Sequence, residues 1–549
     1  MRVNSTKSEP TAKGAAAGSG VVLAILMSGQ FLMTLDSSVM NVSMATVAND
    51  LGTTVTGIQS AITLYTLVMA SLMITGGKIG AIIGRRRAFG IGLVIYGVGS
   101  FTTSVAPNLG VLLFGWSLLE GVGAALIMPA IVALVASNFP PERRSAAYGL
   151  IAASTAMAVA AGPLIGGAVT TFASWRYVFA GEVVIVIVIL LFLRRITDTS
   201  GETARIDLLG SLLSIIGLGV AVFGVLRSSE WGWVLPHTGG PSWLGLSPTV
   251  WCIAGGLLVI YLFFMWEHHQ EERGREPLVR PEMLQNRQLS GGLIMFLSQY
   301  LVQAGVFFAI PLFLSVVLEL NALQTGVRLV PLSVALLITA AGVPKIWPAA
   351  NPRRVVRIGW LFIIVGVGML AAGMDPGATA AIVAIPMVLM GIGLGALASQ
   401  LGAVTVSAVP DSESAEAGGL QNTAMNLGAS LGTAVIGSIL LATLSASVLT
   451  GIVSNPDVPD SVKDQATTEL SAGVPFVSDT QLHTALDDAG VDPEVADEIV
   501  AVNADARLDA LRLAFSVAAL LAIAALLFTG RVPKVPPGAP EKEAAEESP

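Results

Sequence analysis

The fold class the sequence predicts is an all-α polytopic membrane protein, and three observations predict it. Of 549 residues, 54% are hydrophobic and only 12% are charged, where a soluble domain carries about a quarter charged residues. Apolar runs of about 18 residues or more recur from end to end, each long enough to cross ~30 Å of hydrocarbon as a helix. Lysine and arginine, finally, gather in alternate connections between those runs. Together these features exclude a soluble enzyme and a nucleic-acid-binding surface, and they make the lipid bilayer the first partner.

Taken in order, residues 1–20 are polar and basic, carrying Arg2, Lys7 and Lys13, and are expected to form a cytosolic tail. The run from Val21 is too long for the apolar core of a cleaved signal and reads as a retained first helix. Spans are expected near 21–45, 58–77, 88–105, 109–137, 146–171, 175–193, 208–226, 249–266, 289–318, 324–343, 356–374, 379–407, 418–449 and 510–528. The first six fall in 21–195, two in 206–267 and six in 289–528, followed by a disordered cytosolic tail at 529–549. With fourteen spans both termini share one side. If that side is the cytosol, its segments hold 23 of the 29 Lys and Arg residues and the opposite side six. That bias is the positive-inside rule, and it supports count and orientation together.

The net charge of -8 is a poor guide to partners, because much of the acidity lies in one external segment, 450–509. That segment sets thirteen Asp or Glu against Lys463 and Arg507. Its composition argues against a further span; Thr480–Leu486 and Pro493–Val502 are expected as short surface helices. A lone Cys252 permits no intramolecular disulfide, and His237, His268, His269 and His483 show no metal-ligand spacing. No cofactor, metal site or enzymatic constellation is expected. The sole Gly-Lys pair, Gly77-Lys78, lacks the upstream glycine of a phosphate-binding loop.

Within the first span stands Leu35-Asp36-Ser37-Ser38-Val39-Met40-Asn41. An ionisable group there costs roughly 2.5–3.5 kcal/mol on insertion scales. Two roles fit Asp36: hydrogen bonding to a neighbouring helix, or titration during transport. At ~1.5 Å per residue it lies about 22 Å along its span. Glu120, in Ser117-Leu118-Leu119-Glu120-Gly121 of the fourth span, lies about 16 Å along. Carboxyls brought together in a low dielectric cannot all ionise cheaply, so the pair can hold protons near neutrality. Glu182, about 10 Å into the sixth span, is a third candidate expected nearer water. Met33 and Met40, at i-3 and i+4 from Asp36, share its face and are candidates with Asn41, Gln421 and Asn422 to line a substrate cavity.

Three motifs carry a resemblance. After the second span the chain reads Gly77-Lys78-Ile79-Gly80-Ala81-Ile82-Ile83-Gly84-Arg85-Arg86-Arg87. Its glycines suit a tight turn, and its arginines suit anionic headgroups and helix C-termini. This resembles the Gly-x-Leu-x-Asp-x-x-Gly-Arg-Arg loop of the major facilitator superfamily, with Ala81 at the acid's place. The fourth span resembles the family's Arg-x-x-Gln-Gly-x-Gly, with Ser117 for the arginine and Glu120 for the glutamine. In the fifth span, Ala158, Gly162 and Gly166 form a smooth stripe for close helix approach, and Pro163 removes one backbone bond. Gly162-Pro163-Leu164-Ile165-Gly166-Gly167 is similar to the antiporter signature of proton-driven exporters.

The chain as a whole is similar to the fourteen-helix drug/proton antiporter branch of that superfamily, the QacA/EmrB type. Further matching stretches are Asp207-Leu208-Leu209-Gly210 and Gly418-Gly419-Leu420-Gln421-Asn422. The resemblance implies two six-helix bundles plus two inserted helices, alternating access, and antiport of a hydrophobic or cationic small molecule against protons by a monomer in the cell membrane. It implies gating by Gly77, Gly84, Arg85, Arg86 and Arg87, and sealing by Gly162, Pro163, Gly166 and Gly167. Export of an endogenous lipid or metabolite, or a non-transporting sensor of the same fold, are the alternatives.

Overall fold

The computed structural model describes residues 12–139, 141–197, 207–236, 240–275, 277–347, 350–375, 377–409, 414–454 and 474–535. Residues 1–11, 455–473 and 536–549, which hold most of the expected tails and part of the acidic segment, lie outside the described residues, as do the side chains of Arg143 and Arg144.

Among the described residues, fourteen long helices follow one another. They are α1 (Ala12–Asp50), α2 (Val55–Ile83), α3 (Arg85–Ser104), and α4, which opens at Leu109–Leu112, passes through a π-helical stretch Leu113–Glu120 and resumes as Gly121–Asn138. Then come α5 (Pro141–Phe172), α6 (Arg176–Phe192), α7 (Leu208–Trp231) and α8 (Pro248–Glu272). The rest are α9 (Arg287–Leu312, continued by a π turn Phe313–Val317), α10 (Ala322–Ile346), α11 (Pro352–Ala372), α12 (Ala384–Val406), α13 (Ser414–Ser454) and α14 (Pro493–Phe528). Thirteen are long and apolar enough to cross a membrane. The other, α3, has 20 residues but opens on Arg85-Arg86-Arg87.

The starts are written in the sequence as caps. Asn108, Asp207, Asn286 and Asn351 each accept a backbone N–H of their own first turn, and Ser247, Asn351 and Asp492 precede a proline at the first helical position. Such residues satisfy donors that no helical carbonyl reaches.

Packing follows a pseudo-two-fold plan. The second helix of each bundle meets the fifth of the other, α2 against α13 and α10 against α5. The inserted pair α7 and α8 packs on itself, and α7 leans on α2 and α13. Thr75 there donates to Ser211 at 3.1 Å and Ser438 to the Val225 carbonyl at 3.2 Å. At the side holding both termini, Arg353 Nε donates to the Val532 carbonyl at 2.6 Å, joining the start of α11 to the end of α14.

At the far side the halves are closed on each other. Gln59 donates to the Thr433 carbonyl at 3.1 Å, Ser430 to the Thr63 carbonyl at 3.1 Å, and the Leu323 N–H to Thr171 at 3.0 Å. Backbone approach is closest at Gly326, where a Cβ would fall 2.1 Å from the Pro163 carbonyl oxygen. A short helix, Asp479–Asp488, lies over this seal. Thr480 binds Glu319 at the end of α9, Asp479 pairs with the buried Arg507 of α14, and Gln481 crosses to Asn49 of α1 at 2.9 Å.

Two expectations change. The arginine-rich stretch is not a loop: α2 continues through Gly77 and Gly80 to Ile83, and the whole turn into α3 is Gly84 at φ 99 and ψ 133. Packing carries α2 past its expected end, because Gly76 and Gly77 let the helix press against Ala125 and Pro129 of α4. Likewise Pro493–Val502 is not a separate surface helix but the first turns of α14, since Asp492 and Pro493 start a helix that meets no breaker before the membrane.

Gly84 occupies backbone space that L residues reach only at about 1–3 kcal/mol. Gly84→Ala is expected to lower the melting temperature in detergent by several degrees. Gly255→Ala, in a helix with nothing within 4 Å of its Cβ, is expected to leave it unchanged or raise it, as thermal-shift measurements will read.

Candidate functional site

Three carboxyls from three helices meet inside the first bundle. Asp36 of α1 and Glu120 of α4 are 0% exposed and Glu182 of α6 is 1% exposed. One oxygen from each lies within 4.8 Å of those from the other two. Glu182, expected nearer water, is therefore as dry as the others. The layer above it explains why: Trp175 donates to Asp50 at 3.0 Å, Arg176 pairs with Asp50 and donates to the Ala106 carbonyl at 2.8 Å, which closes the far end of α1, α3 and α6.

Each acid is held by hydroxyls or an indole. Trp116 Nε1 donates to both Asp36 oxygens, at 2.8 and 3.0 Å. Thr103 donates to Glu120 at 3.2 Å, and Tyr96 and Ser100 donate to one oxygen of Glu182 at 3.1 and 3.0 Å. The other oxygens, Glu120 Oε2 and Glu182 Oε1, are buried with no hydrogen-bond partner, as is the Tyr65 hydroxyl. Among the described residues, no Lys, Arg or His pairs with any of the three acids. Protons are the simplest neutralising species, since a protonated carboxyl adds a donor for an unpartnered oxygen. The oxygen spacing also admits one small cation.

Local structure places these groups. Tyr96, Ser100 and Thr103 recur at helical spacing on one face of α3. The wider turn of the π-helical stretch in α4 buries Trp116, Ser117 and Glu120 together, a distortion that often marks a functional position. Ser117, where the resembled motif has arginine, donates to the Ala61 carbonyl at 2.8 Å and so ties α4 to α2. The stripe on α5 meets α1 beside Asp36: a Cβ on Gly162 would strike Ser38 and one on Gly166 would strike Val39. Gly167 faces Ala322 of α10, while α5 runs unbroken through Pro163.

Beside the acids lies a central cavity of about 210 Å³ lined by both halves. Met33 and Asn41 line it, together with Met69, Met128, Phe307 and Met425. Met40, Gln421 and Asn422 do not line it. Met40 is buried in the core, and on α13 the lining residues are Met425, Asn426, Ala429 and Thr433, the first of them one turn beyond the expected pair. Among the described residues no Asp, Glu, Lys, Arg or His lines it; Asp36 stands behind Trp116, whose ring is part of the wall. Tyr65 stacks on that ring with centroids 4.9 Å apart and planes 7° from parallel.

Of the arginine cluster, Arg85 reaches the Ala133 carbonyl at 3.5 Å, Arg86 the Ile196 carbonyl after α6 at 3.1 Å, and Arg87 is exposed. Sequence reasoning passed over Trp116, Tyr65, Tyr96, Ser100 and Thr103. The repeat of hydroxyl residues on one face of α3 was the available signal.

Residues 26–433 match the family described as Major Facilitator Superfamily. The chain belongs to the major facilitator superfamily. This major facilitator protein is 27% identical to the tetracenomycin C resistance and export protein of Streptomyces glaucescens, over 95% of this chain and 92% of that one. It is 27% identical to a puromycin resistance protein of Streptomyces alboniger, over 76% and 81%, and 25% identical to the multidrug resistance protein Stp of Mycobacterium tuberculosis, over 80% and 79%. Among solved structures, its fold is similar to a bacterial homologue of the lysosomal transporter Spinster, at a TM-score of 0.58 and 13% identity, covering 94% of this chain and 97% of that one. A POT family transporter gives a TM-score of 0.58 at 15% identity, covering 94% and 96%.

Three ionised carboxyls this close repel one another, and the repulsion grows as protons are withdrawn. Glu182→Gln removes one of the charges. Its melting temperature is expected to fall less than the parent's between about pH 6 and about pH 9, measured in detergent by differential scanning fluorimetry.

Proposed function

We propose that this chain is a proton-coupled exporter of small molecules, working by alternating access between its two six-helix halves. The observation that carries the proposal is the buried Asp36, Glu120 and Glu182 cluster, without a paired cation, directly behind the wall of a central cavity. Relatives named for antibiotic resistance and export support the direction of transport.

In this scheme the protein lies in the cell membrane with both termini in the cytosol, the orientation the positive-inside bias favours. The seal on the far side then faces outward, so substrate loads from the cytosol or inner leaflet. A single chain encloses the whole cavity, which suits a monomer. The lining favours apolar molecules, its methionines and aromatics giving adaptable contact and its Gln and Asn residues local hydrogen bonds. At about 210 Å³ it is smaller than the ~300–1,000 Å³ of drug-sized sites, so larger cargo requires the halves to part.

Protons arriving from outside neutralise the cluster and allow the halves to exchange sides. A potential of 100 mV supplies about 2.3 kcal/mol per proton, enough for a roughly fiftyfold gradient of a neutral solute. No enzymatic step is involved. Gly162, Gly166 and Gly167 keep α5 close to α1 and α10, which denies water a path past the acids.

Purified protein in liposomes, with the neutral dye Nile Red and the cation ethidium as probes, tests this. Dye efflux is expected under an imposed pH gradient, and Asp36→Asn or Glu120→Gln is expected to cut it at least tenfold. Unchanged efflux in both variants, or efflux that follows a sodium gradient instead, would defeat the proton assignment.

A further inference from the structure

Trp116 belongs to two places at once. Its ring forms part of the cavity wall, while its indole N–H holds both oxygens of Asp36. None of the three carboxyls reaches the cavity. Trp116 is the wall residue that hydrogen-bonds one of the acids, and the Tyr65 ring, also in the wall, stacks on it. We propose that Trp116 is the positioning residue through which cargo in the cavity and protons on the Asp36, Glu120 and Glu182 cluster sense each other. This rests on the proton-coupled export proposed above and adds the part that performs the coupling.

The chemistry is a competition for one donor. When the indole N–H points at Asp36, it offers two short hydrogen bonds to the ionised carboxylate, which favours the charged form. A cargo molecule that packs against the ring, or accepts a hydrogen bond from the indole, turns the N–H away. Asp36 then loses the indole's two hydrogen bonds and takes up a proton instead. In the reverse direction a proton on Asp36 frees the indole to turn toward the cavity. The groups that face this carboxyl are few. They are Tyr65 on α2, Tyr96 on α3, Glu120 on α4 and Glu182 on α6, whereas α5 presents Ala158, Gly162 and Gly166, which do not titrate. The buried, unpartnered Tyr65 hydroxyl is placed to take over as donor to the cluster when the indole leaves.

Two variants separate the donor from the ring. Trp116→Phe keeps an aromatic wall without the N–H, and Trp116→His restores a ring N–H. In liposomes with ethidium, Trp116→Phe is compared with the parent after each is normalised to its own dye exchange at equal pH. Its pH-driven uphill efflux is expected to fall at least tenfold, with the pH profile of efflux flattened, and Trp116→His is expected to recover part of both. Parental pH-driven efflux and pH profile in Trp116→Phe would overturn the proposal. So would loss of exchange together with efflux in both variants, which would make Trp116 a packing residue. A parent protein whose own efflux ignores pH would instead refute proton coupling itself, an outcome read before any variant is compared.

Discussion

Three carboxyls share one dry pocket in the first bundle, and the rest of the molecule is arranged to make that tolerable. Each ionised group taken from water into the membrane interior is costly unless paired or hydrogen-bonded. Here the usual solution, a buried arginine, is missing, because its place in the resembled motif is held by Ser117 and that hydroxyl bonds a backbone carbonyl. What remains is a set of weak donors, one indole and three hydroxyls, that can serve a carboxylate or its protonated form alike. The cluster's dryness is supplied by neighbours: the π-helical stretch of α4 turns Trp116 and Glu120 inward, α5 presses on α1, and the Trp175 and Arg176 layer closes the far end.

The two halves divide the work unequally. Every acid of the cluster is on the first bundle, on α1, α4 and α6. The second bundle brings to the cavity uncharged residues such as Tyr300, Gln303, Phe307 and Asn426, and it brings the close backbone contacts of the seal. Symmetry of the backbone therefore coexists with asymmetry of the chemistry. The same helix-packing plan sets the half that holds all three acids against one that adds only uncharged groups to a cavity both halves line.

Much of this was legible in the sequence. Apolar runs marked out the fourteen helices, because a segment that crosses hydrocarbon must be long and apolar. Asp36 and Glu120 stood out for the same reason. Glu182 was underrated, since counting residues from a span's end measures depth but not the lid that Asp50, Trp175 and Arg176 build over it. The supposed loop at Gly77–Arg87 was misjudged because packing on α4, not hydropathy, decides where α2 stops. Trp116 was invisible as a functional group: aromatic residues are common in spans, and only the π-helical stretch turns this one toward Asp36. The cavity residues on α13 start one turn later, at Met425 and Asn426 instead of Gln421 and Asn422, which is the resolution to be expected when a helix face is inferred without its neighbour.

The described hydrogen bonds across the far-side seal all join neutral groups: Gln59 to Thr433, Ser430 to Thr63, Leu323 to Thr171, Ser333 to Val159 and Gln481 to Asn49. Bonds of this kind are worth about 0.5–1.5 kcal/mol each after exchange with water. One proton falling through 100 mV releases about 2.3 kcal/mol, the same order as two or three of them. In the proposed exporter, such bonds can be broken one by one within the energy of single transport events. Ion pairs across the same surface would have made the closed side a trap, and turnover would have been limited by escape from it.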